Sequence, residues 1–567
     1  MQYKYTVLTN TMLGALMASI NMNIVMITLP SIFRGLNINP FAPGEFIYLL
    51  WILMGYSIIL ASILVTFGRI SDLYGRARMY TWGFIIFTIA SILLSIVPGN
   101  SGNNGALLLI VFRMVQAVGA GFLMVNSTAL LTDAFPVYER GKAMGINQIS
   151  FIVGSLLGLI LGGFLSGYDW HLVFIVNIPF AIAGTIWSIF KLKETAERQK
   201  VHMDIWGNVT LALSLILISL GFTYTLEPYK NSQMGWGSPY VIASFIFGII
   251  FLIAFVFIER RVKGPLFNLS LFSIKPFAFG NLSLLLSSLG RGAVMFLVII
   301  WLQGIYLPLH GFSYTQTPFW AGVYMLPMLV GMVIFGPIGG ALTDKYGARI
   351  FATSGMIVTS IGLFLLTLLP YNFNALQFEL IIFLIGVGGG LFAAPNTTAI
   401  MNAVASKDRA SANGMRMTIN NVSSTISMAI FFSITITIFS QKLPSAMITS
   451  ATSIGVPYQL ALRLAGIPPS GALFGAFLGV NPISVIPSQL LSTLSPSTLA
   501  ALESSTFFPK VIGPSFMVGL SYSIYIALAL SILGAVFSAL MGERYVHEEH
   551  GVIEPNKNVG EAANGSK

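Results

Sequence analysis

Fourteen apolar stretches, each long enough to form a membrane-spanning helix, occupy most of this chain of 567 residues. A helix needs about 20 apolar residues to cross the ~30 Å hydrocarbon core of a bilayer. Charged residues make up 8% of the chain, against about 25% in soluble proteins, so the chain lacks the polar surface that a soluble domain requires. We therefore predict an integral membrane protein with spans at residues 7–31, 46–67, 80–97, 107–131, 143–165, 172–190, 207–226, 240–258, 278–306, 319–342, 350–369, 378–401, 412–440 and 515–541.

The basic residues indicate how the chain is oriented. When loops are assigned to alternate sides from a cytoplasmic N-terminus, 21 of the 29 lysines and arginines fall inside, five fall outside and three lie within spans. Basic residues accumulate in cytoplasmic loops. We expect a multi-pass protein of the cell membrane with both termini in the cytoplasm. The net charge of +10 then reflects topology, and nucleic-acid binding is not expected.

A short motif occurs twice. GRISDLYG begins at Gly68 and GALTDKYG begins at Gly340, and each copy lies at the predicted cytoplasmic end of a helix. Repeated halves are typical of secondary transporters, which hold their substrate between two bundles near the middle of the membrane. Two six-helix bundles need twelve spans, so the surplus spans 207–226 and 240–258 would lie between the halves.

This repeat predicts the domain organisation. Residues 1–190 would form the N-terminal six-helix bundle, 191–276 the two inserted spans with their flanking loops, and 277–541 the C-terminal six-helix bundle. The outer loop 441–510 contains eight prolines, which leave no uninterrupted run long enough to cross, so we predict an extracytoplasmic cap of short helices. Residues 542–567 are predicted to be a disordered cytoplasmic tail.

The first copy of the motif, extended to GRISDLYGRAR (68–78), resembles the cytoplasmic signature loop of the major facilitator superfamily. The segments LLLIVFRMVQAVGAGFL (107–123), DWHLVFIVNIPF (169–180) and GVGGGLFAAPNTTAIM (386–401) are similar to the 14-helix drug:proton antiporter branch of that family, the multidrug efflux type. The resemblance implies an all-α polytopic membrane protein with two six-helix bundles and two inserted linker helices. It also implies export of hydrophobic or amphipathic compounds by alternating access, coupled to the proton gradient.

In a transporter of this kind the signature loops would hold the cytoplasmic side shut. Their glycines allow helices to approach closely, and their aspartates can face helix N-termini or neighbouring arginines. The residues predicted for this latch are Gly68, Asp72, Gly75, Arg76, Arg78, Asp133, Arg140, Gly340, Asp344 and Gly347.

None of the 19 acidic residues lies deep within a predicted span. Proton-coupled transport normally uses a titratable group that changes access, and the antiporter branch usually has an acidic residue where this chain has Asn21. The five histidines lie in or beside loops or in the tail, and His547 and His550 lack further metal ligands. With no cysteine and no clustered acid, base and nucleophile, we expect no enzyme activity, no metal site and no cofactor.

Three arginines lie inside predicted spans, namely Arg113, Arg291 and Arg416. A charge at the centre of a membrane helix costs about 2.5–3.5 kcal/mol, so each should face a cavity or a polar partner. Arg113 matches the conserved arginine of the family's fourth-helix motif, although hydrogen bonding to backbone carbonyls is an alternative for it. Arg416 lies near the cytoplasm, where a side chain can also extend to the interface.

Polar side chains within the spans are the candidates for a substrate cavity, and helix packing is the alternative role for each of them. For Trp301 the alternative is anchoring at the membrane interface. The predicted cavity residues are Asn21, Asn23, Arg113, Asn126, Asn147, Gln148, Arg291, Trp301, Gln303, Asn396 and Asn420. The glycines predicted to serve helix packing in the fifth span are Gly154, Gly158, Gly162 and Gly163.

Together these observations favour a secondary active transporter that exports hydrophobic or amphipathic compounds. Its expected partners are the lipid bilayer, a small organic substrate and protons, and we expect a monomer. The intramembrane arginines, present without intramembrane carboxylates, leave open a carrier or uniporter for an anionic metabolite. A membrane sensor that retains a transporter fold is the alternative from another functional class.

Overall fold

The computed structural model describes residues 2–42, 44–194, 204–230, 232–262, 265, 267–405 and 409–542. The side chains of Arg140, Gln148 and Asp344 are also outside the described part of the structure. The predicted disordered tail beyond residue 542, including His547 and His550, lies outside the described residues.

The prediction of an all-α membrane protein with fourteen spanning helices is confirmed. The described residues contain fourteen helices that are long and apolar enough to cross a membrane, or fifteen if one bent pair of shorter helices counts as a span. The helices of the first half are α1 (Tyr3–Leu36), α2 (Glu45–Tyr74), α3 (Arg76–Ser95), α4 (Gly102–Ala134), α5 (Val137–Leu165) and α6 (Leu172–Lys191).

Two further helices, α7 (Ile205–Tyr224) and α8 (Pro239–Glu259), follow the first half and pack against each other. The side chain of Asp204 caps α7 by accepting a 2.8 Å hydrogen bond from the Gly207 backbone N–H. Much of α8 exposes large apolar side chains, such as Phe247 and Ile250. Exposed apolar surface on a spanning helix is the surface that lipid covers.

The second half begins with α9 (Lys275–Leu309) and continues with α10 (Thr317–Tyr346), α11 (Ala348–Thr367), α12 (Ala375–Asn402) and α13 (Arg409–Ser453). Near its C-terminal end, α9 widens into a π-helical turn at Leu302–Tyr306 in which every residue is buried. Such turns interrupt the regular hydrogen bonding of an α-helix and are frequent at functional sites.

The repeat in the sequence corresponds to a repeat in the lengths and starting positions of the helices. Helices α2 and α10 are both 30 residues long and begin at residues 45 and 317, and α3 and α11 are both 20 residues long and begin at 76 and 348. The reversals between them use Gly75 and Gly347, with φ of 108° and 88°. Glycine adopts positive φ without the strain that a Cβ atom would cause.

The segment 441–510 differs from the loop that the sequence predicts. Helix α13 continues through Pro444 to Ser453, because an internal proline removes one hydrogen bond without ending a helix that packing supports. The last spanning helix, α18 (Phe507–Ala539), begins earlier than expected. Four short α-helices lie between, namely α14 (Tyr458–Ala465), α15 (Pro469–Leu478), α16 (Ser488–Leu491) and α17 (Pro496–Glu503), with a 3-10 turn at Pro482–Val485.

Helix α15 packs between the halves rather than covering them from outside. All ten of its residues are buried, and it is bent by 89° from α14. Gly471 faces Pro40 of the first half, and Phe477 packs against Gly304 of the second. The largest buried apolar cluster accordingly includes residues of both halves and of α15.

Candidate functional site

Arg113 lies on α4 inside the first half and is 1% exposed. Its Nη1 donates a 3.0 Å hydrogen bond to Oε1 of Gln116, and its Nε lies 3.5 Å from the carbonyl oxygen of Ile52. The guanidinium carbon lies 4.3 Å from the centre of the Tyr56 ring. The amide of Gln116, the carbonyl of Ile52 and the aromatic face of Tyr56 thus stabilise the buried charge of Arg113.

Gln116 extends this arrangement to two further helices. Its Oε1 also accepts a 3.0 Å hydrogen bond from Nδ2 of Asn21 on α1, and its Nε2 donates at 2.9 Å to the Ser91 hydroxyl on α3. The Oδ1 of Asn21 is buried without a hydrogen-bond partner among the described residues. The structure therefore brings two predicted residues, Asn21 and Arg113, to one acceptor that the sequence analysis did not select. The three-residue spacing of Arg113 and Gln116 on one helix is the signal that could have identified it.

The other two intramembrane arginines have different surroundings. Arg416 donates to Oδ1 of Asn413, one turn earlier on α13, at 3.2 and 3.3 Å, and to the Thr397 hydroxyl of α12 at 3.3 Å. Arg291 lies on α9 and borders a cavity inside the second half. No hydrogen bond or ion pair joins Arg291 to any residue that the structure describes.

Several of the other predicted cavity residues hydrogen-bond to a neighbouring helix. Gln303 joins the two halves, because its Nε2 donates at 3.0 Å to the Ile27 carbonyl. The remaining contacts between helices are Asn396 to the Gly280 carbonyl at 3.2 Å, the Ser288 hydroxyl to Asn420 at 2.6 Å and the Ser127 hydroxyl to Asn147 at 3.4 Å.

Asn23 and Asn126 instead bond within their own helices. Each donates to a backbone carbonyl four residues earlier, at 3.0 Å to Ser19 and 2.9 Å to Phe122. Local bonds of this kind satisfy a polar side chain without a partner helix.

Trp301 has no exposed surface in this structure. Its Nε1 donates a 2.9 Å hydrogen bond to the Tyr371 carbonyl, and its ring meets the rings of Phe373 and Phe378 edge to face. In this conformation Trp301 is therefore enclosed by neighbouring side chains.

Where α2 ends and α3 begins, Arg76 bridges two carboxylates. It contacts Asp72 of α2 at 2.8 Å and Asp133 of α4 at 2.8 Å. The backbone N–H of Arg76 donates at 2.9 Å to Glu194, which also lies 3.5 Å from the backbone nitrogen of Arg78. These contacts connect helices within one half. The equivalent aspartate in the second half is Asp344, whose side chain is not described, and the position of Arg76 is taken there by Ala348.

Glycines allow α5 to approach two helices. A Cβ atom at Gly154 or Gly158 would lie 2.5 or 2.7 Å from a carbonyl oxygen of α1, and one at Gly162 would lie 2.6 Å from the Ile27 side chain. Gly163 instead faces the backbone of Phe319 on α10, so it lies at a contact between the halves. Among the glycines predicted for the latch, Gly75 closely faces the Glu194 carboxylate, whereas Gly68 and Gly340 have more room beside Val125 and Ala394.

Arg34 on α1, which the sequence analysis did not select, contacts both the loop before α10 and the end of α15. Both of its terminal nitrogens donate at 3.1 Å to the Tyr314 carbonyl, and Nη1 lies 3.4 Å from the Leu478 carbonyl at the end of α15. Burial raises the pKa of the Tyr314 phenol to about 12, while the nearby Arg34 charge partly opposes the shift. With the contact of Gly163 and Phe319, the Arg34 contact joins the two halves near the ends of α1 and α5 and the start of α10.

Comparison with known proteins places these features in a family. The model of the Major Facilitator Superfamily matches residues 11–308 and 280–451. The chain is 28% identical over 447 residues to Multidrug resistance protein 3 of Bacillus subtilis, covering 78% of this chain and 81% of that protein. It is 28% identical over 435 residues to the riboflavin transporter RibZ of Clostridioides difficile, covering 76% and 88%.

A third relative, the multidrug transporter protein MdtP of Bacillus subtilis, is 26% identical over 495 residues, covering 87% of this chain and 85% of the relative. Among solved structures, an inward-facing bacterial homologue of the human lysosomal transporter Spinster has a TM-score of 0.54 at 13% identity, covering 94% of this chain and 97% of the other. A peptide transporter POT in complex with sulfate also has a TM-score of 0.54, at 15% identity, covering 85% and 94%.

Proposed function

This chain belongs to the Major Facilitator Superfamily, and from that premise we propose that it exports hydrophobic or amphipathic compounds in exchange for protons. It is a transporter and not an enzyme, as its family and relatives show. The proposal includes a location in the cell membrane, a monomeric state and both termini in the cytoplasm. The observation that supports the proposed substrate class is the similarity to multidrug transporters along most of the chain.

The contacts between the halves support alternating access. Arg34 and Gly163 of the first half meet Tyr314 and Phe319 of the second on the outer side. Alternating access requires such contacts to break when the protein opens outward. We propose that the structure is closed to the outside and that these residues separate in the outward-open state.

Proton coupling requires a group that binds and releases a proton. The acidic residues in the described spans lie near helix ends, so the proposed proton site would be at a membrane face rather than at the centre. The bridge from Arg76 to Asp72 and Asp133 supplies two carboxylates at such a position. Protonation of either would weaken the bridge and release the helix ends that it joins.

Transport into proteoliposomes tests the proposal. With purified protein and an imposed pH gradient, we expect movement of the fluorescent hydrophobic cation ethidium that stops when a protonophore is added. Ethidium movement that needs ATP, or that is unaffected by collapse of the gradient, would contradict proton exchange. Binding of ethidium without any flux would instead support the membrane sensor.

Orientation and assembly require separate measurements. Tags at the two termini should be accessible only from the cytoplasmic side of intact cells. The protein should elute as a monomer when its mass is measured in lipid nanodiscs. A terminus exposed outside, or a stable dimer, would contradict that part of the proposal.

A further inference from the structure

Helix α15 is free of charged residues along its whole length and is too short to cross the membrane. Its sequence is PSGALFGAFL, and all ten residues are buried. Ten residues of α-helix are about 15 Å long, half of the ~30 Å that a spanning helix must cover. A helix that is apolar on every side lies in a protein core or spans a membrane. Because α15 cannot span, its environment must come from the rest of the chain.

Both halves of the molecule supply that environment. Helix α15 contacts α1 and α2 of the first half, and it contacts α9, α13 and α18 of the second. A helix that only covered the halves from outside would keep one face exposed, whereas α15 has no exposed residue. It therefore fills the space between the halves at this end of the molecule.

Two glycines form the contact of α15 with the first half. A Cβ atom at Gly471 would lie 2.7 Å from the Pro40 carbonyl oxygen, and one at Gly475 would lie 2.5 Å from the Phe41 ring. One polar contact of 3.4 Å joins Nη1 of Arg34 to the last carbonyl of α15. Glycines let a helix backbone approach its neighbour closely. The fit is so close that even one added carbon atom would collide with the first half.

Phenylalanines form much of the contact with the second half. The ring centre of Phe474 lies 5.4 Å from that of Phe432 on α13, and a Cβ atom at Gly304 of α9 would lie 3.3 Å from Cα of Phe477. Both phenylalanines of α15 are buried. Aromatic side chains bury large apolar areas and dominate the energetics of such contacts, so this packing holds α15 to the second half.

The chain also connects α15 to the second half at both ends. The cap, defined as residues 454–506, leads from α13 through α14 into α15, and from there through α16 and α17 into α18. Within it, Asn481 donates at 2.8 Å to the Leu502 carbonyl, and the Thr498 hydroxyl donates at 3.0 Å to the Ile454 carbonyl. The second half thus holds α15 by covalent connection, by hydrogen bonds within the cap and by aromatic packing.

We propose that α15 is a plug, carried by the second half, that closes one end of the transport pathway. The inference rests on the proposed function, because alternating access requires the halves to separate at the end where Arg34 contacts Tyr314. When this end opens, α15 moves with the second half and leaves Pro40 and Phe41 of the first. In the proposed orientation this end faces the outside of the cell.

Two cross-links on the same helix test which half carries it. Phe41→Cys with Gly471→Cys joins α15 to the first half, and a Cβ atom at Gly471 would lie 3.4 Å from Cα of Phe41. Gly304→Cys with Phe477→Cys joins α15 to the second half, where the corresponding distance is 3.3 Å. A slight backbone shift brings the Cβ atoms of each pair into the ~3.5–4.5 Å range of disulfides. The chain has no other cysteine.

Ethidium transport is measured in proteoliposomes for each double variant, first oxidised and then reduced, so that each sample is its own control. Oxidation of the pair at residues 41 and 471 should lower transport at least about tenfold, because the halves can no longer separate. Oxidation of the pair at residues 304 and 477 should change transport by less than about twofold, because it joins parts that move together. Continued transport by the fully cross-linked first pair, or a block by the second, would overturn the proposal.

A measurement without substrate tests the plug independently. Spin labels are attached to Ser497→Cys in the cap and either to Asn103→Cys of the first half or to Asn372→Cys of the second, all at exposed positions. Gly475→Leu should push α15 away from the Phe41 ring, which lengthens the distance from the cap to residue 103 and leaves the distance to residue 372 unchanged. Addition of Phe41→Ala should restore the first distance, because it removes the ring that the leucine meets.

If only the distance to residue 372 lengthens, the first half carries α15 and the proposal is overturned. Unchanged distances in Gly475→Leu would also overturn it, because α15 would then not fit against Phe41.

Ethidium transport by the wild-type protein separates this inference from the proposed function. Proton-dependent ethidium movement that continues when residues 41 and 471 are fully cross-linked contradicts the plug alone. Absence of ethidium movement, together with the expected distances in Gly475→Leu, contradicts the proposed export alone.

Discussion

Arg113 donates a 3.0 Å hydrogen bond from Nη1 to Oε1 of Gln116, one turn further along α4. The same oxygen accepts a hydrogen bond from Asn21, so one neutral amide satisfies donors of two helices. This arrangement stabilises a buried positive charge without a carboxylate.

Removal of that acceptor should destabilise the first half. Gln116→Leu leaves the Arg113 guanidinium and the Asn21 amide without their shared oxygen, and we expect a loss of about 3 kcal/mol. Thermal unfolding in nanodiscs measures the effect. Gln377→Leu, at an exposed position near the start of α12, is the control and should change stability by less than about 0.5 kcal/mol. Equal stability of the two variants would show that Gln116 does not stabilise the buried charge of Arg113.

Asn21→Asp should strengthen the response of transport to pH. The new carboxylate would stand beside Gln116 and near Arg113, where its protonation state changes the charge of the site. We expect a larger proton flux per substrate, measured with a pH-sensitive dye in liposomes. The control is Asn23→Asp, because Asn23 bonds to its own helix and not to the network. Identical proton flux in both variants would argue against a role for position 21.

Asp72→Asn should slow the conformational cycle. It removes one of the two carboxylates that Arg76 bridges, and we expect transport to fall by roughly tenfold, or ~1.4 kcal/mol of conformational free energy. Unfolding should change by less than about 1 kcal/mol, since such partly exposed ion pairs contribute little to stability. Asp169→Asn, in an outer loop where Asp169 contacts His171, is the matched control. Normal transport by Asp72→Asn would contradict the latch.

A disulfide between Leu159→Cys and Gly322→Cys should lock the outer side shut. A Cβ atom at Gly322 would lie 3.7 Å from Cβ of Leu159, within the ~3.5–4.5 Å range of Cβ–Cβ distances in disulfides. The same atom would lie 2.9 Å from the Leu159 carbonyl oxygen, so the backbone must shift slightly. The chain contains no cysteine, so the pair is free of background reactions.

We expect oxidation of the double variant to stop transport and a reducing agent to restore it, with each single variant as a control. Transport that continues in a fully cross-linked sample would show that the outer ends of α5 and α10 do not need to separate.

The number of spans and the repeat could be predicted from the sequence because both depend on local properties of the chain. A run of apolar residues is long enough to cross a membrane wherever it folds, and GRISDLYG and GALTDKYG mark equivalent helix ends whatever surrounds them. The end of α13 was not predictable in this way, because its continuation through Pro444 depends on packing against other segments such as α14.

The partners of the polar residues were decided by the tertiary structure. Spanning helices are apolar on most of their surface, so hydrophobic periodicity does not reveal which side faces a neighbour. The rotation and tilt of the helices brought Arg113 and Asn21 to Gln116, buried Trp301 and left Arg291 beside a cavity. The sequence by itself determined which segments cross the membrane and where charges occur along them. Only packing between distant segments determined which of those charges are satisfied, because their partners lie on other helices.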